Sequence, residues 1–427
     1  MMQQRYRYIL PLLYCLLLAA CGSDDSTSPA NTATGTSGTQ PIMFSAGMGA
    51  AKQAATRATT DINDKPDLST QGGFGVFGCY TGLHRYSDSN VRPDFMYNEH
   101  VTSIDDGSTW TYSPLKYWPN GEGETSDGSV TGDNPHYVSF MAYAPWSDNN
   151  GTNPDTNPAG YCIPSFSLQG EKSNPWLTYR LIEQAHLSHQ VDLLYARHSI
   201  EHPILDLTKP ANPNTKVMFQ FEHALACVGD KMNIECSTSL QNQLINRVNG
   251  VTVTNVKAEV TGFTIEYTLT SKARLVLWNQ GEANWQTILS ESPQTKRTVT
   301  IIDPKNPLDK AIIYAKTPGE MTITTEWTGH GLYYIPIELE NYPQSAKVKV
   351  NYRLSTTSDG SNWTTIGDIE GSATINMKAD YSDAYQPGKH LYINITLKPM
   401  DIALTGAIAP WIVESAVDVE GEEKYEE

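Results

Sequence analysis

Residues 41–48 read Pro-Ile-Met-Phe-Ser-Ala-Gly-Met, and the reading of this short stretch decides how the chain folds. Ile42, Phe44, Ala46 and Met48 take every second position, with Met43, Ser45 and Gly47 between them, the period of a strand with one buried face. A lone strand cannot bury a face, so this one needs a sheet to join. The residues before it, 22–40, are polar and show neither period nor bulk, which reads as a flexible tether. The residues after it include 54–59, Ala-Ala-Thr-Arg-Ala-Thr, a small and uncharged run apart from Arg57, the first arginine after Cys21. The Arg57-Ala58 bond is a candidate for proteolytic processing, and a cut there would release the strand of Ile42, Phe44, Ala46 and Met48 from everything downstream.

Further toward the N-terminus, Arg5 and Arg7 precede an apolar run over about residues 9–20. That is the length of a signal-peptide core and too short for a finished membrane-spanning helix. Leu18-Ala19-Ala20-Cys21 then reads as a lipobox that closes the signal-peptide segment of residues 1–21: the leader is removed ahead of Cys21, and Cys21 is acylated. The expectation is an exported chain held by lipid, each buried methylene contributing about 0.8 kcal/mol.

Most of the 427 residues lie beyond that leader, more than one hydrophobic core usually serves. Two domains are therefore expected, 41–210 and 211–427, with the boundary in the proline-containing segment 208–215. Aliphatic and β-branched residues come in short bursts separated by Gly, Pro, Asn, Asp and Ser, so the class is all-β with few short helices. A net charge of −17 argues against nucleic acid or an anionic membrane surface as partner. Cys79, Cys162, Cys227 and Cys236 show no tight metal-type spacing, and one disulfide or none is expected.

In residues 73–80, Phe74 and Val76 share one face and Phe77 and Cys79 the other, as in an interior strand. Residues 110–119 are aromatic and broken by proline, which suits an edge strand or a strand with a bend, and 137–146 read as a second long strand. The loop 147–160 offers Asp148, Asn150 and Asp155 as oxygen ligands for calcium, but without EF-hand spacing it reads as a solvated loop. Residues 180–190 are the best short-helix candidate and place Glu183, His186 and His189 three apart, with His198 and His202 following. Zinc is the sharper interpretation; without a two-histidine, glutamate-bearing motif, surface histidines are the preferred one, and no metal or cofactor is expected. In the second half, residues 346–355 and 390–398 alternate almost strictly, each a strand with one wet face. Seven or eight such strands suggest a β-sandwich.

These pieces together resemble the fimbrillins, subunits of type V pili, including the Mfa-like group. The resemblance is carried by the lipobox and spacer, IMFSA (42–46), Thr56-Arg57-Ala58, FGVFGCY (74–80), FMYNEHV (95–101), WTYSPLKYWPN (110–120), VSFMAYAPW (138–146), DLLYA (192–196), VMFQFEHALACV (217–228) and HLYINITL (390–397). It implies two tandem transthyretin-like β-sandwich domains and a precursor anchored at the outer membrane, displayed on the cell surface and built into a fimbrium that serves cell adhesion. Asp24 and Asp25 resemble the surface-export signal of lipoproteins in the bacteria that make fimbrillins. It also implies cleavage after Arg57, loss of the first strand with its lipid, and assembly with other pilus subunits by strand addition into the vacated groove. In the tail, Val413, Ser415, Val417 and Val419 alternate with Glu414, Ala416, Asp418 and Glu420, so this stretch is a candidate donor strand; a last sheet strand with a solvated acidic end is the equal alternative.

The competing class is an uncleaved surface lipoprotein that binds glycan or host protein, with Trp110, Tyr112, Tyr117 and Trp118 as a sugar platform, although core packing is the preferred reading of such a cluster. An enzyme is not expected, since no nucleophile elbow, phosphate-cradling glycine loop or zinc-protease helix occurs.

Overall fold

Strand β2 (Phe74–Gly82) has large apolar side chains on both faces, so it needs strands beside it and packing above and below. It finds both. The computed structural model describes residues 40–48, 65–88, 93–119, 136–182, 184–236, 255–279, 282–288, 294–302, 311–315, 325–328, 332–337, 345–357, 361–376, 386–397 and 402–410. With strands numbered in chain order, β2 lies in a six-stranded sheet whose spatial order is β1 (Phe44–Met48), β8 (Val217–His223), β7 (Leu194–Arg197), β4 (Tyr137–Ala144), β2 and β3 (Met96–Val101).

Each face of this sheet carries a core. On one side Phe77, Cys79, Met141 and Tyr143 pack with Leu177, Tyr179, Leu275 and Leu277 of a second sheet, ordered β12 (Glu282–Gln286), β11 (Lys272–Asn279), β6 (Trp176–Arg180) and β5 (Ser165–Phe166). That pairing is a sandwich. On the other side Phe74, Val76, Phe140, Phe219 and Phe221 pack with Ile42 and Phe44 and with Trp110, Tyr112 and Trp118 from the segment after β3.

Two further sheets complete the all-β architecture. In one, β9 (Ala226–Cys236) and β19 (Lys389–Leu397) pair in parallel, flanked by β15 (Thr325–Thr328) and β20 (Ile402–Pro410), and β16 (Leu332–Tyr334) also pairs with β9. In the other, the order is β13 (Gln294–Ile302), β10 (Asn255–Thr270), β17 (Ser345–Thr357), β18 (Thr364–Asn376), and β14 (Ala311–Ala315) joins β10. The alternation read from the sequence holds: Val348, Val350 and Tyr352 are buried while Lys347, Asn351 and Arg353 are exposed. Helix is confined, among the described residues, to α1 (Lys65–Thr70), α2 (Pro158–Cys162) and two 3-10 turns. Asn157 caps α2 by accepting the Gly160 N–H at 2.9 Å.

Three expectations need correction. Segment 208–215 is not a boundary between sheets, because β8 lies beyond it and pairs with β7 before it, and β11 beyond it pairs with β6. Its prolines mark a surface turn, and sheets recruit strands by matching edges and apolar faces rather than by chain order. The passage from the six-stranded sheet to the sheet of β9 occurs instead at Ala224 and Leu225, both fully buried, where the Ala224 N–H donates to the Leu193 carbonyl at 2.7 Å and the Trp285 indole donates to the Ala224 carbonyl at 2.8 Å. The described residues of 180–190 form no α-helix: β6 ends at Arg180, a 3-10 turn runs from Gln184 to His189, and His186 breaks it at φ −123°. Residues 110–119 form no continuous strand; they make isolated bridges, Thr111 to Thr102 and Tyr117 to Pro41, and fold over the sheet as a wall.

Candidate functional site

The first strand is held by two different partners in succession. Residues 40–42 run antiparallel to residues 116–118, the Ile42 N–H donating to the Lys116 carbonyl at 2.9 Å and the Trp118 N–H to the Gln40 carbonyl at 3.1 Å. From Phe44 onward β1 pairs in parallel with β8, Phe44 opposite Val217 through Met48 opposite Phe221, and the Val217 N–H donates to the Met43 carbonyl at 2.8 Å. Tyr112 sits at the handover. Its hydroxyl donates to the Ile42 carbonyl at 3.0 Å and accepts the Lys116 N–H at 3.2 Å. Burial pushes the phenol up to about 12, so the hydroxyl remains a donor at neutral pH.

The side chains follow the alternation of the sequence. Ile42 and Ala46 are fully buried and Phe44 is 1% exposed, while Met48 is half-buried at the rim. The Phe44 ring lies 5.2 Å from Phe219, 5.3 Å from Tyr112 and 5.5 Å from Phe140, the last edge-on. Burial of Ile42, Phe44 and Ala46 contributes roughly 4 to 7 kcal/mol gross, before the cost of ordering the strand. On the opposite face Ser45 Oγ donates to Met218 Sδ at 3.1 Å, and a Cβ on Gly47 would lie 2.7 Å from Met218 Cε, so β1 and β8 are in close contact there.

The two ends of the sheet are not equivalent. At the β3 end Asn98 adopts φ 51°, its carbonyl accepts the Trp146 indole N–H at 3.2 Å, and its side chain donates to the Ser147 carbonyl at 2.9 Å and accepts the Tyr143 hydroxyl at 2.6 Å. His100 stacks on Trp146 with ring centroids 3.8 Å apart. A strand kinked at Asn98, with that residue's carbonyl already engaged, is a poor template for another chain. At the other end a five-residue strand, β1, is the cover.

Of the residues singled out from the sequence, the structure brings together Ile42, Phe44, Ala46 and Met48 in one seat. Cys21, Arg57, Ala58, Val413, Ser415, Val417 and Val419 lie outside the described residues. The aromatic cluster is core packing, the preferred reading, rather than a sugar platform: Trp110, Tyr112 and Trp118 are 7%, 6% and 3% exposed and wall in β1, leaving only Tyr117 of the four at the surface. His186 and His189 both face Asp155, at 2.6 and 3.3 Å, while Glu183 is outside the described residues; no group of three His, Cys, Asp or Glu among the described residues is arranged to hold a metal ion. Asp148 is engaged within its own loop, accepting from Asn150 and Asn157, and these bonds hold its carboxyl below the usual range. Cys79, Cys162 and Cys227 are buried and form no disulfide, and burial pushes the Cys162 thiol up to about 12.

Sequence reasoning missed β8 as the partner of β1 and Tyr112 as the clamp. The signal for β8 was present, since Val217, Phe219 and Phe221 alternate as Ile42, Phe44 and Ala46 do; nothing local joins strands over 170 positions apart in the chain.

No family model matches the chain. Over 370 residues, 82% of this chain and 85% of the relative, it is 25% identical to fimbrium subunit Fim1C of Phocaeicola vulgatus. The fold is similar to the crystal structure of a fimbrial protein from Bacteroides vulgatus, with a TM-score of 0.54 and 21% identity over 87% of this chain and 99% of that one. The resemblance to fimbrillins read from the motifs therefore holds.

Proposed function

From that fimbrillin resemblance, we propose that the chain is a pilus subunit made as a lipid-anchored surface precursor, acylated at Cys21 and matured by cleavage between Arg57 and Ala58. Cleavage there separates β1 from the sheet it completes. Its departure exposes the outer edge of β8 together with the apolar slot lined by Tyr112, Phe140 and Phe219, and a strand from a neighbouring subunit takes the seat. Val413, Ser415, Val417 and Val419 present the alternation such a strand needs, and the subunit serves cell adhesion through the fibre it joins.

One observation carries this reading: the strand upstream of Arg57 is short, lies at the sheet end and yet has three fully buried side chains. A segment that is only tethered would have no reason to supply core. The experiment is replacement of Arg57 by Ala in the bacterium that makes the protein, followed by N-terminal sequencing of the surface form and electrophoresis without boiling. The expected result is a full-length lipoprotein and loss of the high-mass ladder. A ladder at wild-type level in uncut protein would remove the proposal.

A further inference from the structure

A cavity of about 380 Å³ lies apart from the β1 seat, where three elements meet. They are the 3-10 turn Tyr86–Asp88 with the preceding Arg85, the segment 198–206 after β7, and Trp278 near the end of β11. Its size is at the lower end of ligand sites and suits one sugar ring rather than a chain.

Asp206 organises the floor. Its N–H donates to Ser139 Oγ at 2.8 Å, its carboxylate accepts the Tyr86 N–H at 2.7 Å, and its other oxygen faces Arg85 at 3.5 Å. These bonds hold Asp206 in the left-handed region at φ 52°. The Arg85 side chain is 60% exposed, its guanidinium rests 5.3 Å over the Tyr137 ring, and its ion pair with Asp206 is long. Across the cavity, His198 accepts the Ile204 N–H on Nδ1 at 3.2 Å, so the neutral ring carries its proton on Nε2. Burial holds the His198 pKa below its ordinary value, which keeps it neutral at pH 7. Its ring stands at 88° to Trp278 with centroids 5.4 Å apart, and Leu205 completes the apolar wall.

This arrangement selects a chemistry. A pyranose offers apolar C–H groups to an aromatic wall and hydroxyls to donors and acceptors; here Arg85 and His198 Nε2 supply the donors, and Asp206 Oδ2, held only by a long contact, supplies an acceptor. An exposed arginine fork is the group best shaped for a carboxylate, and its long contact to Asp206 and 60% exposure leave the Arg85 guanidinium able to turn to a ligand. We propose that the cavity binds one carboxylate-bearing sugar, such as the terminal acidic residue of a surface glycan, with Arg85 on the carboxylate, His198 on a ring hydroxyl and Trp278 beside the ring. The proposal is independent of strand replacement, and neither fails with the other.

The test is ligand-observed NMR titration of the purified chain with glucuronic acid, N-acetylneuraminic acid, glucose and acetate. One of the acidic sugars is expected to bind with a dissociation constant near ~1 mM, about ten-fold tighter than glucose or acetate. Arg85→Gln should weaken it about ten-fold and abolish the preference over glucose at an unchanged melting temperature. Trp278→Phe, which keeps an aromatic wall, should retain that preference. Equal binding of glucose, equal binding of acetate, no binding of either acid at about 10 mM, or an Arg85→Gln chain of unaltered affinity each overturns the proposal.

Discussion

Replacing Phe44 with Ala in the uncut chain measures whether β1 is a separable cover. The ring is 1% exposed and sits against three aromatic rings at 5.2, 5.3 and 5.5 Å. Truncating such a phenylalanine costs about 3 to 5 kcal/mol. Set beside the roughly 4 to 7 kcal/mol gross that the three buried side chains contribute, that loss is more than half of what holds the strand, so β1 should leave its seat while the rest stays folded. The readout is hydrogen exchange at the Val217 amide, which donates to the Met43 carbonyl, against the Leu277 amide, which donates to the Pro175 carbonyl at 2.9 Å in the second sheet. At about 1.4 kcal/mol per factor of ten, Val217 should lose about two to three and a half decades of protection and Leu277 none. Equal loss at both amides would mean that β1 belongs to one indivisible core, and no loss at Val217 would mean that Phe44 does not hold the strand. Either result refutes the separable cover.

Two further substitutions probe the same region. Tyr112→Phe leaves the Ile42 carbonyl and the Lys116 N–H without the bridging hydroxyl and should cost about 1 to 3 kcal/mol by denaturant titration, with the loss of protection centred on residues 42 and 116. Because burial raises the folded-state pKa of Tyr112 to about 12 from an ordinary value of about 10, the folded state holds that proton more tightly; its stability contribution is present below about pH 10 and is lost as pH rises toward 12, and Tyr112→Phe should flatten alkaline unfolding in that window. Gly73 adopts φ 72°, and a Cβ there would lie 2.0 Å from the Val101 carbonyl oxygen, so Gly73→Ala should destabilise the β2–β3 pair by more than about 3 kcal/mol, read as a lowered denaturation midpoint.

Much of the strand content was legible because alternation is local. Ile42, Phe44 and Ala46, then Val348, Val350 and Tyr352, then Leu391, Ile393 and Ile395 are buried as their spacing requires. Strands without that period escaped notice. β18 has Gly367 and Gly371 among sparse apolar positions and is defined by its pairing with β17 from Ser345 opposite Asn376 onward, and β20 is defined by its pairing with β19. The histidines at 186 and 189 were spaced for a helix face, but the turn kinks at His186 and brings both rings to Asp155 instead. Tertiary contacts overrode the local preference there.

What the sequence determined by itself was the all-β class and the inward face of the first strand, because side-chain alternation is dictated by the pleat and needs no partner to be read. The tertiary structure alone decided which edge that strand covers, that it runs parallel to β8, that Trp110, Tyr112 and Trp118 form its wall, and that the sheets divide at Ala224 rather than at a proline-rich turn. Those are long-range choices, set by which apolar faces and open backbone groups fit one another in space, and no neighbouring residue in the chain encodes them.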